Sequence, residues 1–94
     1  MAEFRIFETD QFRKDLRAIA RAGEPRIVDK LTAIVYPQLR SHPRFGPHIK
    51  KLKNYEPETW RYRIGAWRFF YEVDGGDRIV FMTAALHRRN AYRS

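Results

Sequence analysis

Cysteine is missing from all 94 residues, which excludes a disulfide framework and any thiolate chemistry and fits a protein of the cytoplasm. Missing too is any apolar run near the roughly 18 residues that span a bilayer, so no membrane segment is expected, and the N-terminus has no signal-peptide core. Tandem repeats and low-complexity tracts are absent, and the length suits a single domain over 1–94. Acidic residues are scarce: 11 Asp and Glu stand against 19 Lys and Arg, leaving a net charge of +8. From Lys30 to Tyr55 there is no carboxylate at all, while Lys30, Arg40, Arg44, Lys50, Lys51 and Lys53 fall in that span. Such a field attracts nucleic acid, an acidic protein or an anionic membrane surface, and composition does not choose among them. His42 and His48 lie among prolines and basic residues without partners at metal-ligand spacing. They read as solvated loop histidines, and neither a metal site nor a cofactor is expected.

What is present is organised in short periods. Glu3 to Phe7 alternates and predicts a first strand with Phe4 and Ile6 on one side. Thr9 is placed to cap a helix, and Asp10 suits its first turn. Phe12, Leu16, Ile19 and Ala20 then recur at helical spacing, and Gly23 ends the stripe. Glu24-Pro25 opens a second helix with proline in the first turn, where no amide hydrogen is needed. Its buried stripe is Ile27, Leu31, Ile34 and Val35. Pro37 is expected to end this helix near Tyr36 or kink it on to Leu39. His42 to Glu58, stiffened by Pro43, Pro47 and Pro57, reads as a basic connector.

Trp60 to Val73 carries the strongest pattern. Aromatic and β-branched residues alternate with polar ones on both sides of Gly65-Ala66, the mark of a β-hairpin with a type II′ turn. That turn pairs Ile64 with Trp67, Arg63 with Arg68, Tyr62 with Phe69, Arg61 with Phe70 and Trp60 with Tyr71. Trp60, Tyr62, Ile64, Trp67, Phe69, Tyr71 and Val73 share the core face. Arg61, Arg63 and Arg68 share the other, where like charges facing each other are unfavourable unless splayed into solvent or bridged by an anion such as phosphate. Asp74-Gly75-Gly76-Asp77 signals a second tight turn. Taking Gly75-Gly76 as its loop pairs Phe70 with Phe81 and Arg68 with Thr83. That register carries the arginine face on through Phe81, Thr83, Ala85 and His87, with the basic tail beside Arg68 and Arg63. The fold class is therefore α+β: a four-stranded, mostly antiparallel twisted sheet with an N-terminal strand and a two-helix hairpin on one face, in the order β-α-α-β-β-β.

These residues suit cleavage of RNA by its own 2′-OH, which needs a base, an acid and cations for the developing dianionic phosphorane. Arginine is the preferred planar donor to phosphate but a poor base. His87 and Tyr92 are the nearby groups able to move a proton, and an aromatic ring can stack on an unpaired base.

Leu52-Lys53-Asn54, then Tyr62 to Val73 with Arg63-x-Gly65-x-x-Arg68-x-x-Tyr71, then His87-Arg88-Arg89-Asn90-Ala91-Tyr92, resembles the RelE/ParE toxin superfamily of toxin–antitoxin modules over nearly the whole chain. The resemblance implies a RelE-like toxin: a metal-independent endoribonuclease that cuts mRNA on the ribosome, together with an acidic cognate antitoxin that binds it in a hetero-oligomer. It places Arg61 and Arg63 on basic positions of the second strand, Arg68 on the arginine expected to hold the scissile phosphate, Arg88 or Arg89 on the C-terminal arginine, and Tyr92 on the terminal tyrosine. The best-known member has lysines where Arg61 and Arg63 stand, so His87 is the alternative proton carrier. Arg44, Lys50, Lys51 and Lys53 are candidate contacts to RNA or ribosome. Two other functions stay open: a ParE-type toxin that inhibits DNA gyrase, and an inert basic module that binds RNA or the ribosome.

Overall fold

The computed structural model describes residues 3–91. Arg5–Glu8 forms β1 and leads into helix α1, Asp10–Arg21, through Thr9. The Thr9 hydroxyl accepts from the Phe12 amide at 3.2 Å and donates to the Met82 carbonyl at 2.8 Å, so one side chain caps the helix and ties it to the sheet. Phe12 and Ile19 turn inward as their spacing dictates, whereas Ala20 stays exposed. Gly23, at φ 89°, takes the left-handed conformation that breaks the helix.

The second helical stretch departs from expectation. Helix α2, Pro25–Lys30, runs into a π turn at Leu31–Val35 and then into α3, Tyr36–Ser41. Pro37 accounts for the widening: it has no N–H to donate, and in an α-helix its ring would press on the Ala33 carbonyl. Instead the Tyr36 amide reaches back five residues to the Leu31 carbonyl. The chain thus passes the proline and continues to Ser41. The wide turn also rotates Ile34 outward. It is 53% exposed while Leu31 and Val35 are fully buried, so Ile34 leaves the expected stripe.

The sheet has five strands, in the order β1-β5-β4-β3-β2, with β1 parallel to β5 and the remaining pairs antiparallel. The extra strand, β2, is Ile49–Lys51 inside the basic connector, pairing with β3, Thr59–Ile64. One apolar residue and two lysines carry too little alternation to be read as a strand. Lysines do suit a sheet edge, where they discourage further pairing. The β3–β4 hairpin, with β4 at Trp67–Asp74, has the expected register throughout, including Arg63 opposite Arg68. Positive φ at Gly65, and not at Ala66, is the II′ pattern.

The last hairpin does not follow its expected register. Its loop is Gly75 to Arg78, since Asp74 pairs with Ile79, the first residue of β5, Ile79–His87. Asp74 Oδ1 accepts from the Gly76 and Asp77 amides at 3.0 and 3.1 Å, which stabilises the longer loop. Phe81 therefore faces Glu72, and Arg68 faces Leu86. A bulge follows: Tyr71 pairs with Met82 but Phe70 with Ala84, leaving Thr83 extra. One extra residue reverses the side-chain parity beyond it. Ala85 is buried in the core rather than lying on the arginine face, and His87 pairs with Trp67 on the helix side.

The core lies between the helices and one sheet face. Phe12, Leu31, Val35 and Leu39 meet Tyr62, Phe69, Tyr71, Val80 and Met82, all fully or almost fully buried, and Phe12 meets Phe69 edge to face at 6.2 Å. The buried hydroxyls are satisfied: Tyr62 donates to Gln38 Oε1 at 2.8 Å and Tyr71 to the Pro43 carbonyl at 2.6 Å. Among the described residues no helix is long and apolar enough to cross a membrane. A short helical turn, α4 at Arg88–Ala91, follows β5 directly.

Candidate nucleic-acid interface

The sheet face turned away from the helices carries the charge. Cross-strand pairing lines up Lys50, Arg61 and Phe70 in one row and Arg63, Arg68 and Leu86 in the next. Residues directly opposite each other in such rows stand roughly 5 Å apart, so four cations occupy one patch. Lys50 and Arg63 are exposed, and Arg61 is half-buried.

Arg68 is only 7% exposed. Its Nη1 donates to the Gly65 carbonyl at 2.9 Å and to the Trp67 carbonyl at 3.1 Å, so the guanidinium braces the hairpin turn. The Nε atoms of Arg61 and Arg68 are both buried with no hydrogen-bond partner among the described residues. Leaving a charged donor unmet is costly, and an anion over the two rows would offset that cost through the charge of both guanidiniums, since the two nitrogens themselves are enclosed.

The tail folds back on the same turn. The Arg88 amide donates to the Ala66 carbonyl at 2.6 Å, and the Arg89 amide donates to His87 Nδ1 at 3.2 Å. Arg88 and Arg89 are exposed beside the hairpin tip. With Nδ1 accepting, the neutral His87 ring carries its proton on Nε2. That ring meets Trp67 edge-on at 5.2 Å, and Trp67 Nε1 donates to Glu24 at 2.7 Å. His87 thus belongs to a helix-side hollow of about 290 Å³ shared with Glu24, Ile27 and Lys30, not to the arginine patch. Tyr92 lies outside the described residues.

The connector cations separate by partner. Arg44 Nε is bound to Glu58 at 2.9 Å, and the same carboxylate oxygen accepts from Trp60 Nε1 at 2.6 Å. The Arg44 hydrogen bond, helped by Trp60, holds Glu58 below the ordinary carboxylate range. Arg44 is therefore already engaged. Lys50 is exposed on the arginine face with no ion pair among the described residues, Lys51 shares the face of Trp60, its cross-strand partner, and Lys53 is exposed in the turn before Asn54. Burial pushes the hydroxyls of Tyr62 and Tyr71 upward, so both stay neutral and structural. No three His, Asp or Glu side chains cluster among the described residues.

Beside the arginines lies a groove of about 270 Å³ that the sequence did not reveal, with Leu52, Tyr55, Phe70 and Leu86 as its apolar walls and Glu72 among its polar groups. Strand parity alone places Glu72 with Arg68 and Phe70, a signal available in the sequence. Tyr55 has no such signal, because it sits in an irregular loop. Phe81 meets Phe7, its neighbour across the parallel pair, edge to face at 5.7 Å, and is not paired with Phe70.

The same fold recurs in known toxins. The family model described as ParE toxin of type II toxin–antitoxin systems matches residues 6–92. The toxin–antitoxin complex RelBE2 from Mycobacterium tuberculosis contains a chain 25% identical, with a TM-score of 0.74 and 94% of each chain covered. The YoeB/ParE toxin from Agrobacterium tumefaciens is 21% identical at TM-score 0.72, covering 89% of this chain and 98% of that one. The DinJ–YafQ toxin–antitoxin complex of E. coli shares the fold at TM-score 0.76 with 13% identity, covering 96% and 98%. No curated protein sequence matches the chain. With 6–92 accounted for by one family model, the chain belongs to the ParE toxin family of type II toxin–antitoxin systems, within the RelE/ParE superfamily.

Proposed function

We propose that this toxin is an endoribonuclease that cuts mRNA on the ribosome by attack of the RNA's own 2′-OH, acting as one domain over 1–94 in the cytoplasm. The observation that carries this is the patch of Lys50, Arg61, Arg63 and Arg68 gathered on one sheet face. Arg61 and Arg68 hold the non-bridging phosphate oxygens, Arg63 and Lys50 hold the adjoining backbone, and Arg88 and Arg89 flank the exit. Proton transfer falls to Tyr92, since His87 stands across the sheet against Trp67. The products are a 2′,3′-cyclic phosphate and a 5′-hydroxyl, as attack by an internal hydroxyl requires. RelBE2 and YafQ are each found in a toxin–antitoxin complex, and here an acidic antitoxin covers the cationic face in a hetero-oligomer, its association rate falling with salt.

The position of His87 favours a second reading, a ParE-type toxin that inhibits DNA gyrase without cutting RNA. Without His87 the described histidine nearest the arginines is His48, which lines a sheet-edge hollow with Arg63 but leans on the Tyr62 ring at 5.8 Å. Purified protein incubated with programmed ribosomes in one reaction and with gyrase and plasmid in another separates the two. Cleaved mRNA bearing cyclic-phosphate ends supports the nuclease. Intact mRNA with blocked supercoiling assigns the chain to gyrase.

A further inference from the structure

The groove beside the arginines holds one group that phosphate binding does not explain. Glu72 is half-buried on the sheet face that also carries the cations, and it makes no hydrogen bond or ion pair among the described residues. A carboxylate repels phosphate. It is useful there to a group that brings hydrogen-bond donors. The threonine hydroxyls nearby already donate, Thr59 to the Pro57 carbonyl at 2.8 Å and Thr83 to the Phe70 carbonyl at 3.1 Å, and Glu72 is the one anionic acceptor lining the groove.

The groove is also continuous with the phosphate patch. Phe70, on its wall, is the cross-strand partner of Arg61, and Leu86 is that of Arg68. A nucleotide whose phosphate sits on Arg61 and Arg68 has its base within reach of that wall. Tyr55, 57% exposed at the groove, offers an aromatic ring with no intramolecular hydrogen bond or ring contact among the described residues. Apolar walls, an exposed aromatic ring and a single carboxylate suit an unstacked nucleobase.

We propose that this groove is a base-reading subsite for single-stranded RNA, with Tyr55 stacking on the base and Glu72 selecting guanine. The inference rests on the RNA reading above. Guanine presents two parallel donors, N1–H and the N2 amino group, that match the two oxygens of one carboxylate. Adenine and cytosine present one amino donor beside an acceptor nitrogen, which a carboxylate repels. Uracil places its single N–H between two carbonyls.

The test uses the full-length toxin and short fluorescent oligouridylates with 2′-O-methyl riboses, which cannot be cut, with and without one central guanosine or adenosine. The guanosine RNA should bind about ten-fold tighter than oligouridylate alone. Glu72→Gln presents one acceptor and one donor, so it should move the preference from guanosine to adenosine while leaving oligouridylate affinity in place. Tyr55→Ala should weaken every RNA about ten-fold, and Tyr55→Phe should not. Equal affinity for all the RNAs, or no RNA binding, overturns the proposal. So does retained guanosine preference in Glu72→Gln. If Tyr55→Ala loses antitoxin binding and keeps RNA binding, the groove belongs to a protein partner. Cleavage of ribosome-bound mRNA is scored separately. Guanosine preference without cleavage sinks the nuclease and keeps the subsite, whereas cleavage by wild type with no base preference sinks the subsite alone. Cleavage abolished at every base by Glu72→Gln, with guanosine binding unchanged, would make Glu72 a proton acceptor instead.

Discussion

Arg68 serves two purposes with one guanidinium. Its Nη1 ties together the Gly65 and Trp67 carbonyls, while its Nε is unmet among the described residues. On strand parity alone it faces away from the core, and Arg68→Ala would be expected to leave the fold intact. Its burial at 7% says otherwise. Losing hydrogen bonds from a charged donor to the turn should cost about 2 kcal/mol, measured by chemical denaturation. Loss of a donor preorganised for the phosphorane should lower cleavage by about 10²–10³. Arg68→Lys separates the two effects: one carbonyl contact returns and with it part of the stability, but the planar fork does not, and the rate stays low. A fully active Arg68→Ala protein would remove Arg68 from the chemistry. Glu58 provides a pH test at the same scale. Its carboxyl is depressed chiefly by the Arg44 hydrogen bond, so its contribution to stability is present above the unfolded value and lost as pH falls through the lower folded one. The Trp60 indole N–H, bound to the same oxygen, should shift in an NMR titration only below the ordinary carboxylate range. Arg44→Ala should raise that midpoint.

At the scale of elements, the π turn decides which apolar residues count. Leu31 is fully buried, and Leu31→Ala should cost about 2–5 kcal/mol, whereas the outward Ile34→Ala should cost less than about 1 kcal/mol. Denaturation curves showing equal losses would mean the helix is regular and the stripe intact. Pro37 gives the complementary case. A proline inside a regular helix costs about 3 kcal/mol, but the wide turn already avoids its clash, so Pro37→Ala should gain less than about 1 kcal/mol. The turn was not legible in the sequence because a strict 3.6-residue period assigns Ile34 and Val35 to one stripe, and only the position of Pro37 hinted otherwise. The β3–β4 hairpin was legible to the residue, since Gly65 fixes the turn and the turn fixes every pair. In the β4–β5 hairpin a four-residue loop shifted the register by two, which preserved the faces. The bulge at Thr83 then reversed them, and neither loop length nor bulge leaves a mark in an alternating apolar strand. Hence the arginines were placed correctly from sequence and His87 was not.

For the whole molecule, the net charge of +8 matters only where cations are free to meet an anion. Lys50, Arg61, Arg63 and Arg68 share one face, while Arg44 is bound to Glu58 on the connector. Counterion release turns this into a measurement. Each phosphate neutralised on a single strand contributes roughly −0.7 to the slope of log K against log salt, so four contacts should give about −3. Lys50→Ala and Arg63→Ala, both exposed and on the patch, should each flatten the slope by about 0.7, and together by about twice that. Arg44→Ala should leave it nearly unchanged, because its guanidinium must first leave a carboxylate 2.9 Å away before it can reach RNA. Anisotropy titrations of one oligouridylate across a salt series, for wild type and these variants, read the slopes directly. If Arg44→Ala flattens the slope as much as Arg63→Ala, the connector rather than the sheet face carries the RNA. If the wild-type slope is near zero, the positive charge serves solubility and no phosphate is bound at all.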